Sequence, residues 1–171
     1  MRRTGDPKIR RLGEIELFRY LRHRFGGHVS YERILSGPGL GNVYEFLRDS
    51  GGALEPDWLR EELKSGDKAA TISRAGLERG EPLCLATLQL FASIYGAEAG
   101  NLALRSMAVG GLFVGGGIAP KLLTVLRGGG FLKAFTDKGR FAEMLRNTRV
   151  SVGLNSRAPL IGAAYTALAL R

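Results

Sequence analysis

A run of three glycines at residues 115–117 constrains the fold of this chain more than any other feature of the sequence. It follows an apolar stretch at residues 109–114 and comes just before Pro120. The pattern predicts a buried strand that turns sharply into a helix opened by the proline. Glycines at such a turn let a ligand approach the backbone, and a helix N-terminus attracts anions, as a nucleotide site requires. Taken alone, the pattern fits a tight turn inside a core better, because neither GxGxxG nor a P-loop is present.

The composition is that of one globular domain. The chain has 171 residues, of which 44% are hydrophobic and 24% are charged, which is enough to enclose a core. No apolar run is predicted to reach the length of a membrane span, and the charged first residues lack the apolar stretch of a secretory signal. The single cysteine, Cys84, cannot form an internal disulfide. It lies in an apolar, helix-like segment, which fits a reducing compartment and a place in the core rather than catalysis.

Positive charge is concentrated near the N-terminus. The net charge is +9, and the first 24 residues hold eight Lys and Arg against three Asp and Glu. A basic arm binds nucleic acid in some proteins, but it is more often a solvated end of the chain. No nucleic-acid-binding motif and no aromatic stacking surface accompany it. Nucleic acid is therefore an unfavoured partner.

Hydrophobic periodicity predicts a mostly helical chain with two strands far apart in the sequence. Residues 1–13 are predicted to be an irregular basic tail. Ser36 and Asp67 are predicted to cap helices, and Gly96 and Gly100 to mark close packing within a long helix. Helices are predicted at residues 14–25, 37–48, 56–63, 68–79, 81–107, 120–126, 131–135, 141–145 and 159–170, and strands at residues 109–114 and 150–154. Long helices around a small sheet indicate an α/β protein.

Four segments together resemble the C-terminal half of bacterial glucokinases. They read HVSYERILSGPGL at residues 28–40, GGLFVGGGIAP at 110–120, FLKAFTDKGRF at 131–141 and APLIGAA at 158–164. Their order and spacing match the family, and the resemblance extends from about residue 14 onward. It implies an α/β fold, the C-terminal domain of the actin-like ATPase (hexokinase-type) fold, helix-rich around a small mixed sheet that is incomplete here. Residues 14–171 would form this domain and residues 1–13 a tail.

The resemblance implies roles for two groups of residues. At the position of Glu32 the family uses a carboxylate that accepts hydrogen bonds from sugar hydroxyls. Gly115, Gly116 and Gly117 would lie against the adenosine of the nucleotide. Without the resemblance, Glu32 and the arginine after it would be interpreted as an ordinary surface pair. The glycines at positions 37 and 39 are interpreted as allowing a sharp entry into the following helix, and no metal site is expected.

The family's activity is ATP-dependent phosphorylation of glucose to glucose 6-phosphate. By resemblance, the co-substrate is ATP with Mg²⁺, the partners are glucose and ATP, a homodimer is plausible, and the location is the cytoplasm, where the product enters glycolysis. No membrane contact is expected.

Three motifs of the family are not found in these 171 residues: the glycine-rich phosphate loop, the general-base aspartate of an Asn-Asp pair, and a Glu-Gly-Gly-His segment. The catalytic base is therefore unknown, and we expect a truncated form with little activity alone. One alternative is a non-enzymatic module that binds nucleotide or sugar. A less favoured alternative is a basic protein associated with nucleic acid. Elements that normally pack on the missing half are expected to leave apolar surface exposed and to cause self-association.

Overall fold

The computed structural model describes residues 7–51 and 54–170. Contacts within the chain divide it into two compact units, the first ending at Phe91 and the second beginning at Ala92. The described residues are helix-rich with a small sheet, as the sequence predicts.

The first unit is built from helices. Its elements are α1 (Pro7–Phe25), a 3₁₀ turn (Tyr31–Arg33), α2 (Gly37–Asp49), α3 (Asp57–Ser65), α4 (Lys68–Arg79) and the first part of α5 (Pro82–Arg105). Both predicted caps are confirmed. The Ser36 hydroxyl accepts from the backbone amide of Gly39, and the Asp67 carboxylate accepts from the amides of Ala69 and Ala70. All five of these helices contribute to the core of this unit, which includes Leu17, Leu21, Leu40, Val43, Tyr44, Leu59, Ile72, Leu83 and Leu88.

Helix α1 begins at Pro7, seven residues before the predicted start at residue 14. The prediction of an irregular tail is therefore wrong for residues 7–13, and residues 1–6 lie outside the described part. Proline fits the first turn of a helix, where an amide hydrogen has no partner, and the following residues have ordinary helix propensity.

The second unit surrounds the sheet with short helices. After the second part of α5 come β1 (Leu112–Val114), α6 (Ile118–Lys121), α7 (Leu123–Arg127), α8 (Gly130–Thr136), a 3₁₀ turn (Gly139–Phe141), α9 (Ala142–Arg146), β2 (Val150–Val152) and α10 (Ala158–Ala169). The two strands are parallel, with Leu112 opposite Val150 and Val114 opposite Val152. The helix predicted at 120–126 is instead divided between α6 and α7, because the backbone of Leu122 leaves the helical region.

Close packing at the two glycines of α5 is confirmed. A Cβ atom on Gly96 would lie 2.1 Å from the carbonyl oxygen of Phe131, and one on Gly100 would lie 2.5 Å from that of Phe135. Both distances are far below van der Waals contact, so α8 approaches α5 only because these positions lack a side chain. The Phe131 ring also meets the ring of Tyr95 edge-on, with centroids 5.6 Å apart.

Helix α10 is apolar and yet has no buried residue. Leu160 and Tyr165 are each 73% exposed, and Phe113 on β1 is 84% exposed. Isolated exposed apolar residues are common, but a whole apolar helix in solvent is not. The apolar surface expected from the sequence is thus confirmed, whereas self-association stays a prediction.

Helix α5 is the one described helix long and apolar enough to cross a membrane by length and composition. Its most apolar window has a mean hydropathy of 1.2, and 61% of that window is buried. By this criterion the expectation that no segment reaches such a length is wrong. Core helices of soluble proteins pass the same test, and the burial of α5 is typical of them.

Candidate functional site

Glu32 lies in the middle of the 3₁₀ turn Tyr31–Arg33, and its side chain is exposed. Within residues 7–51 and 54–170, no hydrogen bond or ion pair engages its carboxylate. The interpretation as a surface pair with Arg33 is not supported, since the Arg33 guanidinium stacks on the Phe25 ring, 4.3 Å from its centroid. The carboxylate is therefore free to accept hydrogen bonds from a ligand.

The backbone around Glu32 is held by hydrogen bonds at each successive carbonyl from residue 30 to residue 33. The Ser30 carbonyl accepts from the Arg33 amide at 3.0 Å, and the Tyr31 carbonyl accepts from the amides of residues 34 and 35 at 2.9 and 2.7 Å. The next two carbonyls are held by side chains. The Ser36 hydroxyl donates to the Glu32 carbonyl at 2.6 Å, and the amide group of Asn42 donates to the Arg33 carbonyl at 2.8 Å. The turn is thus anchored to α2.

Gly39 lets α2 come close enough for this anchoring. A Cβ atom on Gly39 would lie 2.2 Å from the carbonyl oxygen of Ile34, a distance that no real side chain tolerates. A Cβ atom on Gly37 would lie 4.0 Å from Ala69, which is ordinary contact. Of the two glycines that the sequence singled out, only Gly39 is required by close packing.

A second anchor ties α2 to its neighbours. The Glu45 carboxylate pairs with Arg24 of α1 and, at 3.0 Å, with Lys68 of α4. Burial by itself would raise the pKa of the Glu45 carboxyl, but the hydrogen bonds from Arg24 and Lys68 outweigh it and lower the pKa. Glu45 therefore stays ionised and holds α1, α2 and α4 together.

A cavity of about 330 Å³ lies beside this anchor in the first unit. The Tyr44 hydroxyl donates to Glu55 at 2.8 Å, and burial raises the pKa of the Tyr44 phenol. The cavity is lined by charged and polar side chains together with Gly41, Leu63 and Ile72; the charged members are Glu45, Arg48, Glu55, Arg60, Lys64 and Lys68. Each of these cations already pairs with a carboxylate, so the cavity presents no uncompensated charge to an anionic ligand.

The glycine run follows the end of β1, as predicted, but the strand begins at Leu112 instead of residue 109 and is only partly buried, since Phe113 is 84% exposed. The amide of Gly153 donates to the Val114 carbonyl at 2.9 Å, so the segments after both parallel strands start at the same edge of the sheet. That edge is where ligands bind in parallel sheets. Gly115, Gly116 and Gly117 are all exposed, and a Cβ atom at any of them would meet nothing within 4 Å. Only Gly116, with φ +94°, needs glycine for its backbone conformation.

Two further groups bear on the predicted chemistry. Burial, together with the nearby Glu81, raises the pKa of the Cys84 thiol, so it remains protonated in the core. Among the described residues, no group of three or more His, Cys, Asp or Glu side chains could hold a metal ion. We therefore assign no ligand for Mg²⁺ in this part of the chain.

The family model described as Glucokinase matches residues 8–170. The chain belongs to the glucokinase family. The resemblance found in the sequence is thereby confirmed, and the match begins inside the segment predicted to be a tail. The boundary between tail and domain at residue 13 stays a prediction.

Individual glucokinases match this chain at similar levels of sequence identity. A glucokinase from Synechocystis sp. is 42% identical over 95% of this chain and 49% of its own length. One from Nostoc punctiforme is 44% identical over 92% of this chain and 50% of its own length. A crystal structure of glucokinase from an Antarctic psychrotroph superposes with a TM-score of 0.73 and 34% identity over 88% of this chain and 44% of that one. The chain thus spans about half the length of its glucokinase relatives, and its fold is consistent with a partial hexokinase-type fold.

Sequence reasoning missed Asn42, the side chain that anchors the Glu32 turn. No sequence signal indicated its burial, because residues two apart lie on opposite sides of a helix and Asn42 is two positions from both Leu40 and Tyr44 on the apolar face. The structure buries Asn42 all the same, and a buried amide requires a hydrogen-bond partner. The sequence could not show that this partner is a backbone carbonyl nine residues earlier. The roles of Glu32 and of residues 115–117 in binding glucose and nucleotide stay predictions.

Proposed function

We propose that this chain supplies the glucose-binding carboxylate and the adenosine-facing glycines of a glucokinase, an enzyme that transfers a phosphoryl group from ATP to glucose. The observation that carries the proposal is the exposed Glu32 carboxylate, which lies unpaired within the described residues on a turn anchored by hydrogen bonds. Membership of the glucokinase family supports glucose as the ligand of that carboxylate.

Glu32 has the chemistry that a sugar site needs. An ionised carboxylate is an acceptor at both oxygens, so it takes hydrogen bonds from two neighbouring hydroxyls of one sugar ring. Hydrogen bonds to a charged group are worth about 1.5–3 kcal/mol each. The sugar is oriented at little entropic cost because the turn is already ordered.

Residues 115–117 offer a different kind of surface. With no side chains and nothing within 4 Å of their Cβ positions, they leave room for the flat ring system of a nucleoside. Their place at the carboxyl edge of parallel strands supports the assignment to adenosine.

We assign no catalytic base. Phosphoryl transfer requires a group that accepts the proton of the attacking sugar hydroxyl. Asp67 is occupied as a helix cap, and Asp137 lies outside the family's base motif. We therefore propose that these 171 residues alone support little phosphoryl transfer and that turnover needs residues equivalent to the rest of the relatives' length. We propose cytoplasmic location, a place in glycolysis and homodimer formation on the resemblance alone.

Two measurements on the purified chain test this function. Calorimetric titration with glucose should show binding that Glu32→Gln weakens about 10- to 100-fold, the loss of one or two charge-assisted hydrogen bonds. Glu78→Gln removes from α4, in the same unit, an exposed carboxylate with no partner among the described residues, and it should leave binding unchanged. An equal effect of both substitutions, or no binding by the unsubstituted chain, would contradict the role of Glu32.

The second measurement separates a kinase from a module that only binds ligand. A coupled assay for glucose 6-phosphate with ATP and Mg²⁺ should show little turnover by the chain alone. Adding the complementary half of the Nostoc punctiforme glucokinase should restore turnover. Binding of glucose with no restoration would favour the non-enzymatic module, and robust turnover by the chain alone would contradict the proposed low activity.

A further inference from the structure

Asn42 is a buried polar side chain whose hydrogen bond lies outside its own helix. It is 9% exposed and lies on the side of α2 opposite Leu40 and Tyr44, which are 3% and 2% exposed. Asparagine is a poor residue for a helix interior, and burial of an amide is unfavourable without a hydrogen bond. Asn42 satisfies its amide outside α2, by donating to the Arg33 carbonyl at 2.8 Å.

That hydrogen bond orders a short segment whose own hydrogen bonds are weak. The 3₁₀ turn comprises only residues 31–33, and single 3₁₀ turns have weak hydrogen-bond geometry. The Ser36 hydroxyl holds the carbonyl of Glu32, and Asn42 holds the carbonyl of the next residue. Both peptide groups that follow the Glu32 Cα are therefore oriented by side chains from α2 and its cap.

We infer that Asn42 is a positioning residue for Glu32: it sets the direction in which the carboxylate projects, and glucose affinity depends on it although it does not touch the sugar. The inference rests on the proposed role of Glu32. A mobile turn would have to be ordered when glucose binds, and the loss of conformational freedom would weaken binding. Asn42 removes that loss in advance, by ordering the turn in the free protein.

Asn42→Leu separates positioning from stability. Leucine has the same number and branching of side-chain heavy atoms as asparagine, with methyl groups in place of the amide oxygen and nitrogen, so the site stays filled while the donor is lost. Asn42→Ala is the second variant, and Thr87→Ala is the matched control. Thr87 is also buried in the first unit, but its hydroxyl bonds to the Leu83 carbonyl within its own helix, away from the turn.

Glucose titration and amide hydrogen exchange give independent readouts. We expect both Asn42 variants to weaken glucose binding about tenfold and to speed exchange of the Ile34 and Leu35 amides at least tenfold, since those amides close the turn. Thr87→Ala should change neither. In the Glu32→Gln background, Asn42→Leu should weaken glucose binding no further, because its effect passes through Glu32.

Two results would overturn the inference: unchanged exchange of Ile34 and Leu35 in both variants, or equal weakening by Asn42→Leu with and without Glu32→Gln. Failure of the unsubstituted chain to bind glucose would overturn the proposed function and the claim about glucose affinity together. The exchange rates would still decide whether Asn42 holds the turn. The two failures are therefore distinguishable.

Discussion

The Glu32 turn and the glycine run at residues 115–117 present ligand-accessible groups in opposite ways. The turn displays an unpaired carboxylate within the described residues, and its backbone is held by Ser36, Asn42 and the close approach of Gly39. The glycine run displays bare backbone, with open space at all three Cβ positions. A group that must select hydroxyls needs a fixed direction, whereas a surface that receives a flat ring needs room. Glycine serves close packing in the first region and accessibility in the second.

Gly39→Ala should disrupt the packing of the Glu32 turn on α2, and we expect it to lower stability more than any other substitution compared here. The new Cβ would lie 2.2 Å from a backbone carbonyl, which cannot move aside as the end of a side chain could. We expect the free energy of unfolding to fall by about 3 kcal/mol or more, measured by urea denaturation. Gly37→Ala is the control, since its Cβ meets only an ordinary contact at 4.0 Å, and it should change the free energy by less than about 1 kcal/mol. Similar losses in both variants would contradict the packing argument.

Gly116→Ala should affect the second region less. Its φ of +94° is strained for any residue with a Cβ, although no atom obstructs the new methyl group. We expect a loss of about 1–2 kcal/mol in the free energy of unfolding. Gly115 has neither a positive φ nor an atom within 4 Å of its Cβ position. The free energy of unfolding of Gly115→Ala should therefore stay within about 0.5 kcal/mol of that of the unsubstituted chain. A larger loss of stability for Gly115→Ala would contradict the open space at this position, because it would mean that the added methyl group meets other atoms.

Gly115→Val sharpens the comparison at the level of binding. The branched side chain enters open space, so stability should hardly change, but it would occupy the volume proposed for adenosine. We expect ATP to bind at least tenfold more weakly by calorimetry, with glucose binding unchanged, since a clash with the ligand costs more than about 1.4 kcal/mol. Unchanged ATP affinity would remove the glycine run from the nucleotide site.

The ionised Glu45 predicts a smaller, pH-dependent effect on the anchoring of α2. Its pKa is lowered in the folded state, so its contribution to stability is present above the unfolded pKa of about 4.3 and is lost as pH falls through the folded pKa. Because Arg24 and Lys68 are substantially exposed, we expect a contribution of about 1 kcal/mol at pH 7. Urea denaturation of Glu45→Gln and the unsubstituted chain should give different stabilities at pH 7, and the difference should shrink as pH falls below the unfolded pKa of about 4.3. A difference independent of pH would point to packing instead of charge.

Local chemistry made much of this fold predictable. A hydroxyl or carboxylate just before an apolar helical pattern identifies a cap, and Ser36 and Asp67 both cap their helices. Glycines inside a helical pattern identify close approach, as at Gly96 and Gly100. Membership of the family was predictable because four segments matched in order and spacing. The boundaries were less accurate where backbone preference outweighed charge, as at Pro7, or where one residue left the helix, as at Leu122.

The anchoring of the Glu32 turn was not predictable, because it depends on partners that are not neighbours in sequence. The bond from Asn42 crosses nine residues, and its acceptor is a backbone carbonyl that any residue at position 33 would supply. The stacking of Arg33 on Phe25, 4.3 Å from the ring centroid, is likewise a tertiary contact. Sequence identified the carboxylate, but only the structure shows what holds it in place.

Association through the exposed apolar helix α10 would make the stability of this protein depend on its concentration. Any association that covers α10, whether with a second copy or another chain, involves the folded form and not the unfolded form. By mass action, the midpoint of thermal unfolding should then rise as protein is added, while a chain with α10 in a closed core would melt at one temperature at every concentration. If α10 is covered in this way, the melting temperature reports association as well as folding.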